Sequence, residues 1–367
     1  MKEAIENALR GVTDVYDDGD IVSNHRVQKI LIDDGMVTLS LLLPTDDVGV
    51  RKRVEDRSRE VIRALDGVRE VIIMTRAGKP TLAASGGAAV PQSSPPGPAP
   101  GGDPFADRAP IEGVEHIVAV ASAKGGVGKS TVCVNLALSL VRQGARVGLM
   151  DADIYGPSAH LLLGITDRPT PGKTKEVAPV ESSGLKVMSL GLLTDRGTPV
   201  IWRGPIVMGV VKKFLMEVEW GTLDYLLIDM PPGTGDAQLT LVQTVPLSGA
   251  VIVTTPSEIA LVDAEKGLQM FREVHVPVLG MVENMSYFLC PHCGKSSNIF
   301  AHGGGRETAE RLGTPFLGEL PLDPLIRSSG DEGQPIVLRD PDAAPSRVFD
   351  EIASAVRARC ESVGERQ

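Results

Sequence analysis

Two stretches of this 367-residue chain carry residue types spaced for chemistry. The first is SAKGGVGKST at residues 122–131, with the core Lys124-Gly125-Gly126-Val127-Gly128-Lys129-Ser130-Thr131. Glycines let backbone N–H groups turn inward around phosphate oxygens. Lys129 is spaced to reach the β- and γ-phosphates of ATP, and the Ser130 hydroxyl to sit on Mg2+. A helix starting at this point adds positive potential under the phosphates. The generic pattern begins with glycine, whereas this chain has Ala123. That substitution is a defect only if the backbone there needs a positive φ. Lys124 is a second cation ahead of the glycines. It either points into solvent or reaches phosphate, in its own subunit or across a dimer.

The second stretch is YFLCPHCGKS at 287–296, where Cys290 and Cys293 stand three positions apart. Four uses compete for the pair. Core packing suits free cysteine, but the Pro, His, Gly and Lys around it point to a surface turn. Dithiol redox chemistry needs the first thiol at a helix N-terminus, and Gly294 favours a knuckle whose N–H groups face sulfur. A structural zinc site needs four ligands; within one chain only His292 and His302 are close in sequence. Finally, two subunits that each donate Cys290 and Cys293 supply four thiolates, a set suited to a [4Fe-4S] cluster or to zinc. Two ligands per chain at an interface make a labile site, which suits delivery more than structure. Residue chemistry alone leaves iron and zinc open.

Carboxylates follow two apolar runs. LMDADIYGPS supplies Asp151 and Asp153, and LLIDMPPGTGD supplies Asp229. Ligands collect at the carboxyl ends of parallel strands, so all three acids are expected to converge on a magnesium nucleotide. Asp229 suits the metal, directly or through water, and Asp153 suits orientation or activation of the attacking water. The Gly233 N–H is placed to sense a γ-phosphate. Hydride transfer fits poorly, because a dinucleotide fingerprint needs a different glycine spacing and a later ribose acid.

The elements that must hold these residues are legible from periodicity. A helix is expected over 3–10, strands at VQKILI and MVTLSLLL around a D-G turn, a helix over 50–65 and a strand at VREVIIM. This is a small α+β unit at 1–76. Residues 77–107 are mostly Gly, Pro, Ser and Ala and are expected to be a flexible linker. From 108 the pattern becomes strand–helix alternation: VEHIVAVAS, a helix stopped by Gly144, ARVGLMD, LDYLLID at 223–229, GAVIVTT at 249–255, a helix over 257–272, VPVLGMVEN at 276–284 and a closing helix over 346–360 that carries Cys360. Continuous apolar strands with helical crossovers predict an α/β fold, a mostly parallel sheet covered on both faces.

Composition bounds the partners. The formal net charge is −10, from 47 acidic and 37 basic residues, with no basic tail or stripe, so no nucleic-acid partner is expected. No apolar run is long enough for a bilayer, and MKEAIENALRGVTD is not a signal peptide. A cytoplasmic protein without a membrane partner is the expectation.

SAKGGVGKST, DADIYGPS, YLLIDMPPGTGD, VENMSYFLCPHCGK and GGGRETAERLGTPFLGELPLDP together resemble the Mrp/ApbC group of deviant P-loop ATPases, over residues 108–357. That group consists of iron–sulfur cluster carriers within the class of MinD, ParA and the nitrogenase iron protein. The resemblance implies a P-loop NTPase fold and a homodimer that hydrolyses ATP slowly. Lys124 would be the signature lysine that contacts phosphate across the interface, Asp153 would activate water, and Asn284 would recognise adenine. Cys290 and Cys293 would bridge one [4Fe-4S] cluster between subunits for transfer to apo iron–sulfur client proteins after loading by cluster donors. Residues 1–76 resemble, more weakly, the iron–sulfur assembly domain often fused in front. That domain often carries a DPE motif and a reactive cysteine. Here DVYDDGD at 14–20 and LPTDDVG at 43–49 stand instead, without any cysteine, so docking or regulation is the expected role. Two other functions use the same core: a membrane- or DNA-positioning ATPase, which the mixed-charge tail SRVFDEIASAVRARCESVGERQ supports weakly, and a zinc-bridged or metal-free regulatory scaffold.

Overall fold

The structure, a computed structural model, describes residues 2–33, 36–44, 48–65, 67–77, 108–173, 175, 177–193, 204–290 and 292–364. The chain divides into two compact units, Met1–Pro96 and Gly97–Gln367. The Asp34-Gly35 turn and residues 78–107 of the expected linker lie outside the described residues.

The first unit runs α1 (Lys2–Leu9), β1 (Val27–Asp33), β2 (Met36–Leu43), α2 (Val48–Arg63) and β3 (Glu70–Ala77). β2 pairs antiparallel with β1 and parallel with β3, so α2 is a crossover. Val37, Leu39, Leu41 and Leu43 alternate along β2 and are all buried, against Ile5 and Leu9 of α1 and Val54 and Ile62 of α2. The period of two in a strand puts them on one face, which is why MVTLSLLL covers a core on one side only. The acidic stretch at 14–20 is tied down by Arg26, whose Nε donates to Asp14 Oδ2 at 2.6 Å. Both side chains are buried.

The second unit holds β4 (Val114–Ala121), α3 (Lys129–Arg142), β5 (Val147–Asp151), α4 (Ala159–Leu162), β6 (Thr170–Pro171), β7 (Val177–Ala178), β8 (Val180–Ser182) and β9 (Leu185–Ser189). It continues with α5 (Gly204–Met216), β10 (Leu223–Asp229), α6 (Asp236–Thr244), β11 (Gly249–Thr254), α7 (Glu258–Glu273) and β12 (Val278–Glu283). The short strands β13 (Phe288–Leu289) and β14 (Ser296–Ser297) follow, then α8 (Gly304–Arg311), β15 (Phe316–Glu319), α9 (Pro324–Asp331), α10 (Ile336–Arg339) and α11 (Ala344–Gly364). The main sheet has eight strands in the order β15-β12-β11-β4-β10-β5-β9-β8. Only β8 runs antiparallel to its neighbour.

β4 shows why the strands are continuously apolar. Val118 and Val120 enter one core with α3 and α11, whereas Ile117, Ala119 and Ala121 enter another with Phe214, Trp220 and Phe271. Both faces are covered, so both sets of alternating positions must be apolar. The expected closing helix is longer than 346–360, and its Cys360 lies fully buried on the core side. Gly144 does end the helix after the glycine loop, with φ +86. No described helix is long and apolar enough to cross a membrane.

Candidate functional site: a phosphate loop and a thiol hairpin

The loop at 122–128 leaves the carboxyl end of β4 at the middle of the sheet and enters α3. Gly126 and Gly128 both have φ +82, the left-handed region that side chains resist. Ala123 does not have a positive φ, so the departure from glycine costs the backbone nothing. Val127 is buried and pins the loop, while Lys124, Gly125 and Gly126 stand exposed above it. Thr131 lies in the first turn of α3, and its carbonyl accepts from Asn135 Nδ2 at 2.8 Å. Beneath the loop the Ser122 hydroxyl donates to the Lys124 carbonyl at 2.9 Å.

Parallel register brings the acids to this point. Asp229 pairs with Val120 on one side and with Asp151 on the other, so two carboxylates stand side by side at the strand ends. Lys129 Nζ donates to Asp229 Oδ1 at 2.5 Å, and both groups are buried. Asp229 Oδ2 is buried and has no hydrogen-bond partner among the described residues. Burial, only partly offset by Lys129, raises the Asp229 pKa, and the nearby Asp153 charge adds to it. An orphaned carboxylate oxygen next to a lysine and a serine hydroxyl fits a hard divalent cation with oxygen ligands. Mg2+ brought with ATP would be held by Ser130 and Asp229, directly or through water, leaving Lys129 for phosphate.

Asp151 stands at the expected point, beside Asp229, but both of its oxygens are already engaged. Its Oδ1 accepts from the Asp153 N–H at 3.1 Å. Its Oδ2 accepts from the N–H groups of Ser158 and Ala159 at 3.0 and 3.1 Å and from the Ser189 hydroxyl at 3.0 Å. These bonds fold DADIYGPS back on itself and leave Asp153, half-buried, as the acid open to the nucleotide side. In the nucleotide-free protein Asp151 therefore organises the turn. Burial, then the Asp229 charge, pushes its carboxyl up to about 7. In the nucleotide-free protein the fold thus keeps a proton that the unfolded chain releases above about pH 4. Stability is expected to fall as pH rises from about 4 to about 7 and to level off beyond. Asp151→Asn should reduce that slope in urea titrations across this range, the remainder coming from Asp229, whose carboxyl is raised too; an unchanged slope would take Asp151 out of it.

Two further expectations meet occupied groups. The Gly233 N–H donates to the Ser122 carbonyl at 3.0 Å, tying the DMPPGTGD loop to the base of the phosphate loop. The buried Asn284 Nδ2 donates to the Val127 carbonyl at 2.8 Å, between the two left-handed glycines. This bond explains Gly128 beyond its φ: a Cβ there would lie 2.2 Å from Asn284 Nδ2. A Cβ on Gly126 would meet nothing within 4 Å. Gly126→Ala should therefore cost only the left-handed backbone, about 1–2 kcal/mol. Gly128→Ala should cost visibly more and weaken ATP binding. Equal melting temperatures for the two variants would remove the Asn284 contact from this account.

The thiol pair sits on a hairpin in which β13 pairs antiparallel with β14. The Cys290 N–H donates to the Lys295 carbonyl at 3.0 Å, and the Gly294 N–H to the Cys290 carbonyl at 2.8 Å. Gly294 closes the turn with φ +67. Cys290 is half-buried, Cys293 exposed, and both thiols are free. N–H groups of His292 and Cys293, followed by the Cys293 thiol, bond to the Cys290 sulfur and hold its pKa below the usual thiol range. This is the expected knuckle, a turn that favours thiolate. His302 is engaged elsewhere: it pairs with Glu319 at 3.4 Å and lies edge-on to the Tyr287 ring. Among the described residues no group of three or more His, Cys, Asp or Glu side chains is placed to hold a metal ion.

Sequence reasoning missed Glu283. This fully buried acid at the end of β12 accepts from the Ser286 hydroxyl and from the N–H groups of Gly303 and Gly305. It caps α8, where a carboxylate is favourable. The visible signal is GGG at 303–305, since a Cβ on Gly305 would stand 2.8 Å from Glu283 Oε2.

Comparison with known proteins shows the family. A family profile described as NUBPL iron-transfer P-loop NTPase matches residues 113–357, and one described as iron–sulfur cluster assembly protein matches 2–73. The chain is 40% identical to the iron–sulfur cluster carrier protein of Synechocystis sp. over 362 residues, 97% of each chain. It is 51% identical to the iron–sulfur cluster carrier protein of Pseudomonas fragi over 245 residues, covering 66% of this chain and 85% of the relative. Among solved structures, the nucleotide-binding protein of Archaeoglobus fulgidus in complex with ADP is 38% identical. It aligns with a TM-score of 0.56, covering 64% of this chain and 91% of that one.

Proposed function

Because this chain belongs to the NUBPL-type family of iron-transfer P-loop NTPases, whose members carry iron–sulfur clusters and bind and hydrolyse ATP, we propose that it holds a [4Fe-4S] cluster between two subunits and passes it to apo-proteins. The observation that carries the proposal is the hairpin knuckle. It presents two thiols at a turn whose N–H groups already favour thiolate, and among the described residues no third His, Cys, Asp or Glu is placed with them to hold a metal ion. A four-thiolate set then comes from two copies of Cys290 and Cys293. The cluster is cargo here, bound at the surface and given up.

The nucleotide side follows from the chain's own residues. Lys129 leaves Asp229 for the β- and γ-phosphates, and the loop N–H groups around Gly125, Gly126, Val127 and Gly128 enclose them. Mg2+, once bound, neutralises phosphate charge. Asp153, held by its N–H to Asp151, orients the attacking water. Lys124, exposed at the loop tip, reaches the phosphates of the partner subunit. Asn284 presents its amide to adenine. The homodimer, the cluster donors, the apo-protein clients, the division at 1–76, 77–107 and 108–367, and a docking role for the small domain are parts of the same reading.

Anaerobic reconstitution with iron and sulfide tests it, read by visible absorbance and by iron, sulfide and zinc assays. A cluster of ~4 Fe per dimer that moves to an apo-acceptor is the expected result. Stoichiometric zinc, with no cluster and no transfer, would sink the carrier reading in favour of a zinc-bridged regulatory ATPase.

A further inference from the structure

We infer that residues 284–289 form a strap that links the state of the phosphate loop to the thiol pair, with Asn284 at the loop end and Cys290 at the hairpin end. The inference rests on the cluster-carrier reading of this site and adds the path by which nucleotide acts on it.

The path is short and bonded along its length. The Asn284 N–H donates to the Thr254 carbonyl at 2.8 Å, and its side chain donates to Val127. Met285 comes next and lies at φ +56, a left-handed value for a residue with a long side chain. Its Cε lies 3.8 Å from where a Gly128 Cβ would stand. Ser286 is fully buried; its hydroxyl donates to Glu283 and its N–H to the Leu320 carbonyl at 2.9 Å. The Tyr287 carbonyl accepts from the Leu322 N–H at 2.7 Å, and Phe288 bridges Leu322. Leu289 pairs with Ser296, and Cys290 follows. Asn284 to Cys290 is six residues, roughly 20 Å at full extension.

A loose connection would absorb a displacement at either end. This one has a held register, so a shift at Asn284 is passed along the backbone. Nucleotide acts on Asn284 from two sides, through the Val127 carbonyl when phosphate fills the loop and through the amide when a base contacts it. Coupling also needs an element with two arrangements. We place that element at Met285, whose left-handed backbone at φ +56 lies between the bonded Asn284 and Ser286. Coupling between two binding events is reciprocal, so a nucleotide that alters the thiol pair is itself held differently when the pair is occupied.

The test uses the full-length apo-protein and no cluster. Alkylation rates of Cys290 and Cys293 are followed by mass spectrometry with and without saturating ADP. Cys133 and Cys360, both fully buried, serve as unreactive references. Repeating the assay at two protein concentrations separates a strap effect from burial in a dimer. ADP should change the alkylation rate by about fivefold in wild type. Ser286→Ala should collapse that effect while ADP affinity stays within about twofold, since Ser286 does not touch the loop. Met285→Gly accepts the positive φ without strain, keeps the fold, and should also lose the effect. Alkylation indifferent to ADP in wild type overturns the proposal, as does a full effect in Met285→Gly or Ser286→Ala. Cluster binding plays no part in the assay. A protein that never binds iron but shows the effect would sink the carrier reading and leave the strap standing.

Discussion

Lys129→Ala should abolish nucleotide-dependent function, weakening ATP binding at least about a hundredfold, equivalent to roughly 3 kcal/mol. The cause is double. The variant lacks the cation for the β- and γ-phosphates, and it strands Asp229, whose Oδ1 is the 2.5 Å partner of Lys129 in the nucleotide-free protein. Leaving a buried carboxylate unpaired costs about 3 kcal/mol if it stays ionised. Burial already raises the Asp229 pKa, and Lys129 is the main opposing influence, so the variant's Asp229 should take up a proton. The sign follows: its folded pKa lies above the unfolded one, so the variant is least impaired at low pH and loses stability as pH rises through the folded pKa. Binding of a fluorescent ATP analogue, phosphate release, and urea midpoints on the acid and alkaline sides of neutrality measure all three effects. Normal ATP binding and turnover in the variant would remove the phosphate-loop assignment.

Cys290→Ala and Cys293→Ala should each lose the reconstituted cluster, taking iron from ~4 per dimer to near zero. In a symmetric dimer each change removes two of the four ligands. Cys293 is exposed and Cys290 half-buried, so stability should move by less than about 0.5 kcal/mol and ATP binding should persist. Cys133→Ala and Cys360→Ala make the opposite pair. Both thiols are fully buried in the core beside α3 and α11, so these variants should lose stability and keep the cluster. A full cluster in either Cys290→Ala or Cys293→Ala would overturn the thiolate assignment.

The strands, the glycine loop and the thiol turn were legible because each is encoded locally. A period of two, a left-handed glycine and a Cys-x-x-Cys-Gly turn state their geometry within a few residues. The part played by Asp151 was not legible. It stands two residues from Asp153, and only the bonds from Ser158, Ala159 and Ser189 show which of the two acids is used up. Ser189 is 38 residues away in sequence. Family resemblance singled out Asn284 as an expected base reader, but its bond to Val127 spans 157 residues and no pattern announces it.

By itself the sequence determined a mostly parallel α/β sheet, a phosphate loop at the head of a helix, and a surface turn carrying two thiols. These depend on backbone preference and on the side-chain period, which act over neighbouring residues. Tertiary structure alone decided the partners: Asp229 beside Asp151 by strand register, Lys129 on Asp229, Asn284 on Val127, and Glu283 under the glycines of α8. Those contacts join residues far apart in the chain at sites closed to water. There an unmet charge or N–H is costly, so these groups take the partners that the fold brings within reach, and Asp229 Oδ2 stands out as the oxygen left without one.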